Sequence, residues 1–312
     1  MQQSIKALSK LHRFTATTTA ASSIKCWSHS QPLCRSFSST NTTPNDNINI
    51  NNINSNNNTL KNEEIQFFNN LSKDWWNPEG TMKPLHRMNP LRVQYIVDSI
   101  KSSTSLISDN PIQYPLKGLK MIDIGCGAGL LSESLSRLGA DKVIGLDAAK
   151  NNVLMAKSHA SADIDLKENI ETNKLEYVES TIERFIQDES MVESFDVVCS
   201  LEVIEHVDNP QEFLKLCTRL LKPGGHIFIS TINKTPTSFL ATILGAEYIF
   251  RMVPIGTHHW SQFIKPADIH SALAQNNCAV KDTQGLFYNP YDSSWSLIKD
   301  LSVNYILYAI KK

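Results

Sequence analysis

An α/β fold is predicted, a doubly wound and mostly parallel sheet of seven strands, and three features of the chain predict it. Apolar residues lead from Leu119 into Met121-Ile-Asp-Ile-Gly-Cys-Gly-Ala-Gly129, and a helical pattern follows, apolar at 130, 131, 135 and 138. Strand-like and helix-like segments then alternate as far as residue 275, as they do when helices cover both faces of a parallel sheet. Two long strand-like segments close the chain.

Taken in order, residues 1–37 carry Lys6, Lys10, Arg13, Lys25 and Arg35, many Ser and Thr, and no acid, the composition of a mitochondrial transit peptide. Residues 38–62 are dominated by asparagine and read as a disordered linker, because such a segment cannot bury a core. The folded domain is expected over 63–312. It should open with a helix over Glu63–Leu71 and a Pro-rich loop from Asp74, then a helix capped by Asn89 and Pro90 and running to about Lys101. Two tryptophans, His86, Arg87 and Arg92 crowd this N-terminal strap, which either packs on the core or covers a site.

Strand Lys142–Leu146 ends on Asp147, and a helix is expected near Asn151–Ala160. Leu175–Glu179 alternates and reads as the third strand. Phe195–Ser200, almost wholly apolar, reads as a central fourth strand. A helix over Gln211–Leu221 is stopped by Lys222-Pro-Gly-Gly225, and His226–Thr231 is the fifth strand. Residues 237–255 form an apolar helical insertion, either a cap on the sheet or a membrane-surface element; with Glu247 and Arg251 they are too short and too charged to span a bilayer. A helix over Pro266–Gln275 and a final pair near Ala279–Tyr288 and Val303–Ile310 complete the fold.

The net charge of −1 argues against a nucleic-acid partner. The cysteines beyond the leader (126, 199, 217 and 278) are widely spaced, which suits buried thiols rather than a zinc site or disulfides. Cys126 lies inside the glycine loop, where a small filler is expected in preference to a catalytic thiol.

The loop Gly125-Cys-Gly-Ala-Gly129 is tighter than a dinucleotide fingerprint and is preceded by an acid. Asp123 can meet a ligand's ammonium group, and Asp147 sits where a carboxylate grips a ribose. That combination favours S-adenosylmethionine, which carries an amino acid and no phosphate. The fourth strand runs into Leu201-Glu-Val-Ile-Glu-His-Val207, at the carboxyl edge of the sheet where ligands bind. Glu202, Glu205 and His206, spaced three and four apart, are expected on one side of a helical turn. There they hold a divalent ion, or His206 acts alone as a general base, or the acids simply favour a helix start with His206 as a satisfied side chain. An NAD-dependent oxidoreductase is the main enzymatic alternative, and a fold-retaining non-catalytic subunit the other.

Asp123-Ile-Gly-Cys-Gly-Ala-Gly, Leu146-Asp147, Phe195-Asp-Val-Val and Leu221-Lys-Pro-Gly-Gly resemble class I S-adenosylmethionine methyltransferases. Trp75-Trp-Asn-Pro-Glu-Gly, Lys83-Pro-Leu-His-Arg-Met-Asn-Pro-Leu-Arg92, Glu202-Val-Ile-Glu-His-Val and Gly245-Ala-Glu-Tyr-Ile-Phe-Arg-Met-Val-Pro254 are similar, more narrowly, to the O-methyltransferases of ubiquinone biosynthesis. The resemblance runs from about Glu63 to the C-terminus. It implies methylation of a polyprenyl-dihydroxybenzoate and of demethylubiquinol, on the matrix face of the inner mitochondrial membrane, within a complex of biosynthetic proteins. Carried over by position, Arg92, Gly125, Asp147 and Leu201 contact S-adenosylmethionine, and Glu202, Glu205 and His206 hold Mg²⁺. For the methyl transfer itself, Asp123 and the loop amides, Gly127 included, are expected to hold the methionine end; Glu202 is expected to take part in catalysis through the ion, and His206 either ligates it or accepts the hydroxyl proton.

Overall fold

The computed structural model describes residues 75–103, 109–241 and 260–312, all within the compact unit Asn57–Lys312. The predicted leader, the asparagine-rich linker, the helix over 63–71 and most of the apolar insertion (242–259) lie outside the described residues.

The sheet grows from alternation. In β1 (Lys120–Ile124), Met121 joins one apolar cluster and Ile122 the other; β2 (Lys142–Asp147) does the same with Val143 and Ile144, and β4 (Phe195–Leu201) with Val197 and Val198. Successive side chains of a strand point to opposite faces, so strands apolar at every position must be covered on both sides. Helices α1 (Lys83–Ser103), α2 (Leu130–Arg137) and α3 (Lys150–Ala162) supply one cover. Helices α4 (Pro210–Leu220) and α5 (Pro266–Gln275) supply the other, through Phe213, Leu214, Cys217, Ile269 and Leu273.

With β3 (Leu175–Glu179), β5 (Leu221–Ile232), β6 (Cys278–Asn289), β7 (Ser294–Ile298) and β8 (Asn304–Lys311), the sheet runs β3-β2-β1-β4-β5-β8-β6-β7. The first five strands in that order pair in parallel and the remaining three antiparallel. Strand order reverses between β1 and β4, which makes the crevice at their carboxyl ends the topological switch point.

Three expectations need correcting. The sheet has eight strands, not seven: Ser294–Ile298 pairs with β6 as a hairpin, and Trp295 and Leu297 pack against the first core cluster. Helix α1 begins at Lys83, not at the Asn89-Pro90 step, and carries Pro90 inside it. An internal proline removes one intrahelical bond at a cost of about 3 kcal/mol. The offset is a buried stripe at helical spacing, Met88, Asn89, Arg92, Val93, Tyr95, Ile96, Ser99 and Ile100. Finally, β5 already starts at Leu221, where it pairs with Phe195. The Lys222-Pro-Gly-Gly segment then bulges out before His226 pairs with Val197, and Gly224 takes a φ of 78°. Among the described residues, no helix is long and apolar enough to cross a membrane.

Candidate active site

The glycine loop joins β1 to α2 and is tied mainly to the end of β2. Gly125 and Cys126 donate their amides to Leu146 O (2.7 and 3.0 Å), Gly127 donates to Asp147 Oδ2 (2.8 Å), and Gly129 donates to Cys126 O (3.0 Å). The amides expected to hold a ligand at these four positions are therefore already committed. What the loop offers instead is close approach. A Cβ on Gly125 would meet the Val203 side chain at 2.4 Å, and one on Gly127 would meet the Trp75 ring at 2.2 Å. Only glycine fits there, and the loop is clamped between the turn after β4 and the N-terminal strap.

The strap is built from the two tryptophans. Trp75 is buried, and its carbonyl is bonded to His86 Nε2 (2.8 Å). Trp76 donates Nε1–H to Ala128 O (3.1 Å) and stacks on His159 with centroids 3.5 Å apart. His159 in turn meets the buried Glu133 carboxylate at 2.8 Å. Helix α1 is tied to the same place: Asn89 donates to Leu130 O and Ser134 Oγ at the start of α2 and accepts from Arg92.

The acids of the site are buried with few cations. Asp123 is 2% exposed; burial pushes its carboxyl up to about 6, against the bond from Ser132 Oγ (2.7 Å) and the charge of Arg92. Ser132 thus tethers Asp123 beneath the loop to α2. Asp147 is half-buried and also raised by burial, with its two oxygens taking amides from Ala149 and Gly127 and a side-chain contact from Asn152. A carboxylate has about four acceptor positions, so one remains for a ribose hydroxyl. Arg92 is buried, its guanidinium discouraged by burial and sustained by Glu202 and Asp123. The structure thus brings Arg92, Asp123 and Glu202 together from three separate elements. Burial pushes the Cys126 thiol well up, so it is a filler and not a nucleophile.

Beyond the buried Leu201, the acidic turn departs from the expected helix. Glu202 has a φ of 60°, and Ile204–His206 is a single 3₁₀ turn. A side-chain-bearing residue in the left-handed region is strained, and such strain gathers at functional sites. Glu202 is fixed by Ser230, whose backbone oxygen takes its amide (3.0 Å) and whose hydroxyl donates to its carboxylate (2.6 Å). Glu205 is buried and accepts from Thr231 Oγ1 (2.7 Å); burial, then the charge of Glu202, pushes it up to about 7. His206 is half-buried at the end of the turn. Because the turn is not α-helical, the three side chains do not share one helical face. Among the described residues no group of three or more histidine, cysteine, aspartate or glutamate side chains is arranged to hold a metal ion. The predicted three-residue ion site is thus not formed as such; what stands in its place is a carboxylate pair, each member bonded to a β5 hydroxyl.

Ser132, Ser230, Thr231 and Asn152, which hold these acids, escaped the sequence reading, since nothing in a lone Ser or Thr signals a distant carboxylate. Trp75 and Trp76 were noticed there, but not that both touch the glycine loop.

A methyltransferase domain family model matches residues 122–229, from β1 to β5. The chain is 63% identical over 250 residues to the mitochondrial ubiquinone biosynthesis O-methyltransferase of Dictyostelium discoideum, covering 80% of this chain and 78% of that one. It is 44% identical to the mitochondrial ubiquinone biosynthesis O-methyltransferase of Arabidopsis thaliana, over 81% of this chain and 75% of that one. The ubiquinone biosynthesis O-methyltransferase of Pelagibacter ubique is 41% identical, over 81% of this chain and 99% of its own. An NAD-dependent oxidoreductase is thereby set aside: the chain belongs to the ubiquinone biosynthesis O-methyltransferases, a family of S-adenosylmethionine-dependent enzymes.

Proposed function

We propose that this protein transfers the methyl group of S-adenosylmethionine to a ring hydroxyl of a polyprenyl-dihydroxybenzoate and of demethylubiquinol. One observation carries the reading. The carboxyl ends of β1 and β4, at the switch point of the sheet, bring together the glycine loop, Arg92 and the Glu202–Glu205 pair. The relatives' names supply the pathway.

In this reading the donor lies over Gly125 and Gly127, with a ribose hydroxyl on Asp147 and the adenine beside Leu201. Arg92 faces the methionine carboxylate, and Asp123 is the counter-charge for its ammonium. The ring oxygen attacks the sulfonium methyl in line: the new O–C bond forms as the C–S bond breaks, and the electron pair stays on sulfur, leaving S-adenosylhomocysteine. The hydroxyl proton passes to a base, the role we give to His206. Alignment of the three reacting atoms and exclusion of water supply most of the acceleration, since the donor is already activated.

Mg²⁺ belongs to this proposal in a reduced form. Two carboxylates, one pushed up by burial and by the other's charge, suit a hard cation that also takes substrate oxygens. Glu202 and Glu205 would hold it, with His206 left for the proton. Bound there, it would lower the pKa of a chelating ring hydroxyl. Location in the mitochondrion, contact with the matrix face of the inner membrane and membership of a biosynthetic complex complete the reading. The basic, acid-free leader and the names of two relatives support the mitochondrial location; the membrane contact and the complex rest on the family resemblance alone.

The test is incubation of the protein with methyl-labelled S-adenosylmethionine and a short-tailed catechol, with and without chelator. Label on the ring oxygen is expected, and its absence overturns the reading. Undiminished transfer after chelation removes the metal alone.

A further inference from the structure

Four amides of the glycine loop, those of residues 125, 126, 127 and 129, are spent inside the fold, on Leu146 O, Asp147 Oδ2 and Cys126 O. Asp147 is occupied largely by Ala149, Gly127 and Asn152, and Asp123 by Ser132. A carboxylate bound beside this loop thus gains from donors supplied by another element.

Among the described residues, two buried donors on the N-terminal segment have no partner: Nε1 of Trp75 and Nε of Arg92. Trp75 is 7% exposed, and its indole lies against the loop: Cζ2, Cη2 and Cε2, the last bonded to the nitrogen, lie 2.2, 2.5 and 3.1 Å from where a Gly127 Cβ would be. The ring cannot swing away to find water. Its carbonyl is anchored by His86, and the next residue is pinned by the Ala128 bond and the His159 stack. A buried donor held without a partner is costly, and it is kept where a ligand completes it. Trp76 makes the contrast, since its own Nε1–H is satisfied by Ala128 O.

Resting on the reading that S-adenosylmethionine occupies this crevice, we propose that Trp75 is a binding residue for the donor's carboxylate, giving it the indole N–H beside the Arg92 guanidinium. The strap thus recognises the amino-acid end of the ligand as well as covering the loop.

The experiment is calorimetric titration of wild type and Trp75→Phe with S-adenosylhomocysteine and with methylthioadenosine, which keeps the nucleoside and thioether but lacks the amino acid. Loss of one hydrogen bond to a charged group predicts about tenfold weaker S-adenosylhomocysteine binding by the variant, with methylthioadenosine within about twofold of wild type. Equal weakening of both ligands would make Trp75 a packing residue and overturn the proposal, as would no change in either. Failure of the wild type to bind S-adenosylhomocysteine would instead sink the underlying reading. Should the variant not fold, indole ¹⁵N–¹H spectra of the wild type serve in its place. One of its five tryptophan signals moves with S-adenosylhomocysteine and stays put with methylthioadenosine; if none distinguishes the two ligands, the proposal fails.

Discussion

The two ends of the parallel strands treat charge in opposite ways. At the amino ends, carboxylates meet lysines: Asp196 takes the Lys120 amide (2.8 Å) and Lys222 Nζ (2.7 Å), Glu176 pairs with Lys142 (2.7 Å), and Glu193 with Lys311 (2.9 Å). At the carboxyl ends, Asp123, Asp147 and Glu205 are each pushed up by burial, with Arg92 the cation that faces Asp123. The same sheet can satisfy its acids, as the first end demonstrates. Leaving them short of cations at the other end costs stability, and it marks the place where a positively charged ligand or ion supplies what the fold withholds.

The largest effect that would sharpen this contrast is on activity. Glu202→Gln should lower kcat by about 100-fold or more in the labelled-methyl assay. A variant that keeps full activity would break the contrast. Gly127→Ala follows. A side chain at φ 56° and 2.2 Å from the Trp75 ring should destabilise the fold by about 3 kcal/mol in denaturant titration and weaken donor binding.

Asp123 gives the pH dependence. Its folded value, about 6, lies above its ordinary 3.8, so between those values the folded state binds more protons than the unfolded state. The group's contribution therefore declines as pH rises through that window, and its cost is fully present above about pH 6. Asp123→Asn removes the titration. Its stability relative to wild type should rise between pH 4 and 7 by an amount on the order of 2 kcal/mol, read from denaturation at each pH. A difference that does not change with pH would contradict the burial argument. The smallest effect lies at the other end of the sheet. Asp196→Asn gives up the Lys222 pair, which is partly exposed, and weakens the bond to the Lys120 amide. It should cost about 1 kcal/mol and leave activity unchanged.

The core of the fold was legible because β1, β2 and β4 are apolar at consecutive positions, which only a doubly covered strand tolerates. β7 was overlooked although Ser294-Trp-Ser-Leu alternates, because its partner strand had already been paired with β8. Pro90 was read as a helix start by its local rule, whereas the stripe from Met88 to Ile100 is a tertiary effect that overrides one lost bond. In the site, Asp123, Asp147 and the glycines stood out through spacing. The acidic turn did not, since i, i+3, i+4 spacing presumes a helix, and Glu202 at φ 60° followed by a 3₁₀ turn sets aside that geometry. Trp75 at Gly127 spans some fifty residues of sequence, a contact that no local pattern encodes.

The most direct measurement is titration of the wild-type protein with S-adenosylhomocysteine near neutral pH. Saturable heat with one site per chain is predicted, lost when Arg92 is replaced by alanine. No heat with a folded wild-type protein would contradict the assignment of the cation-poor end of the sheet to the methyl donor.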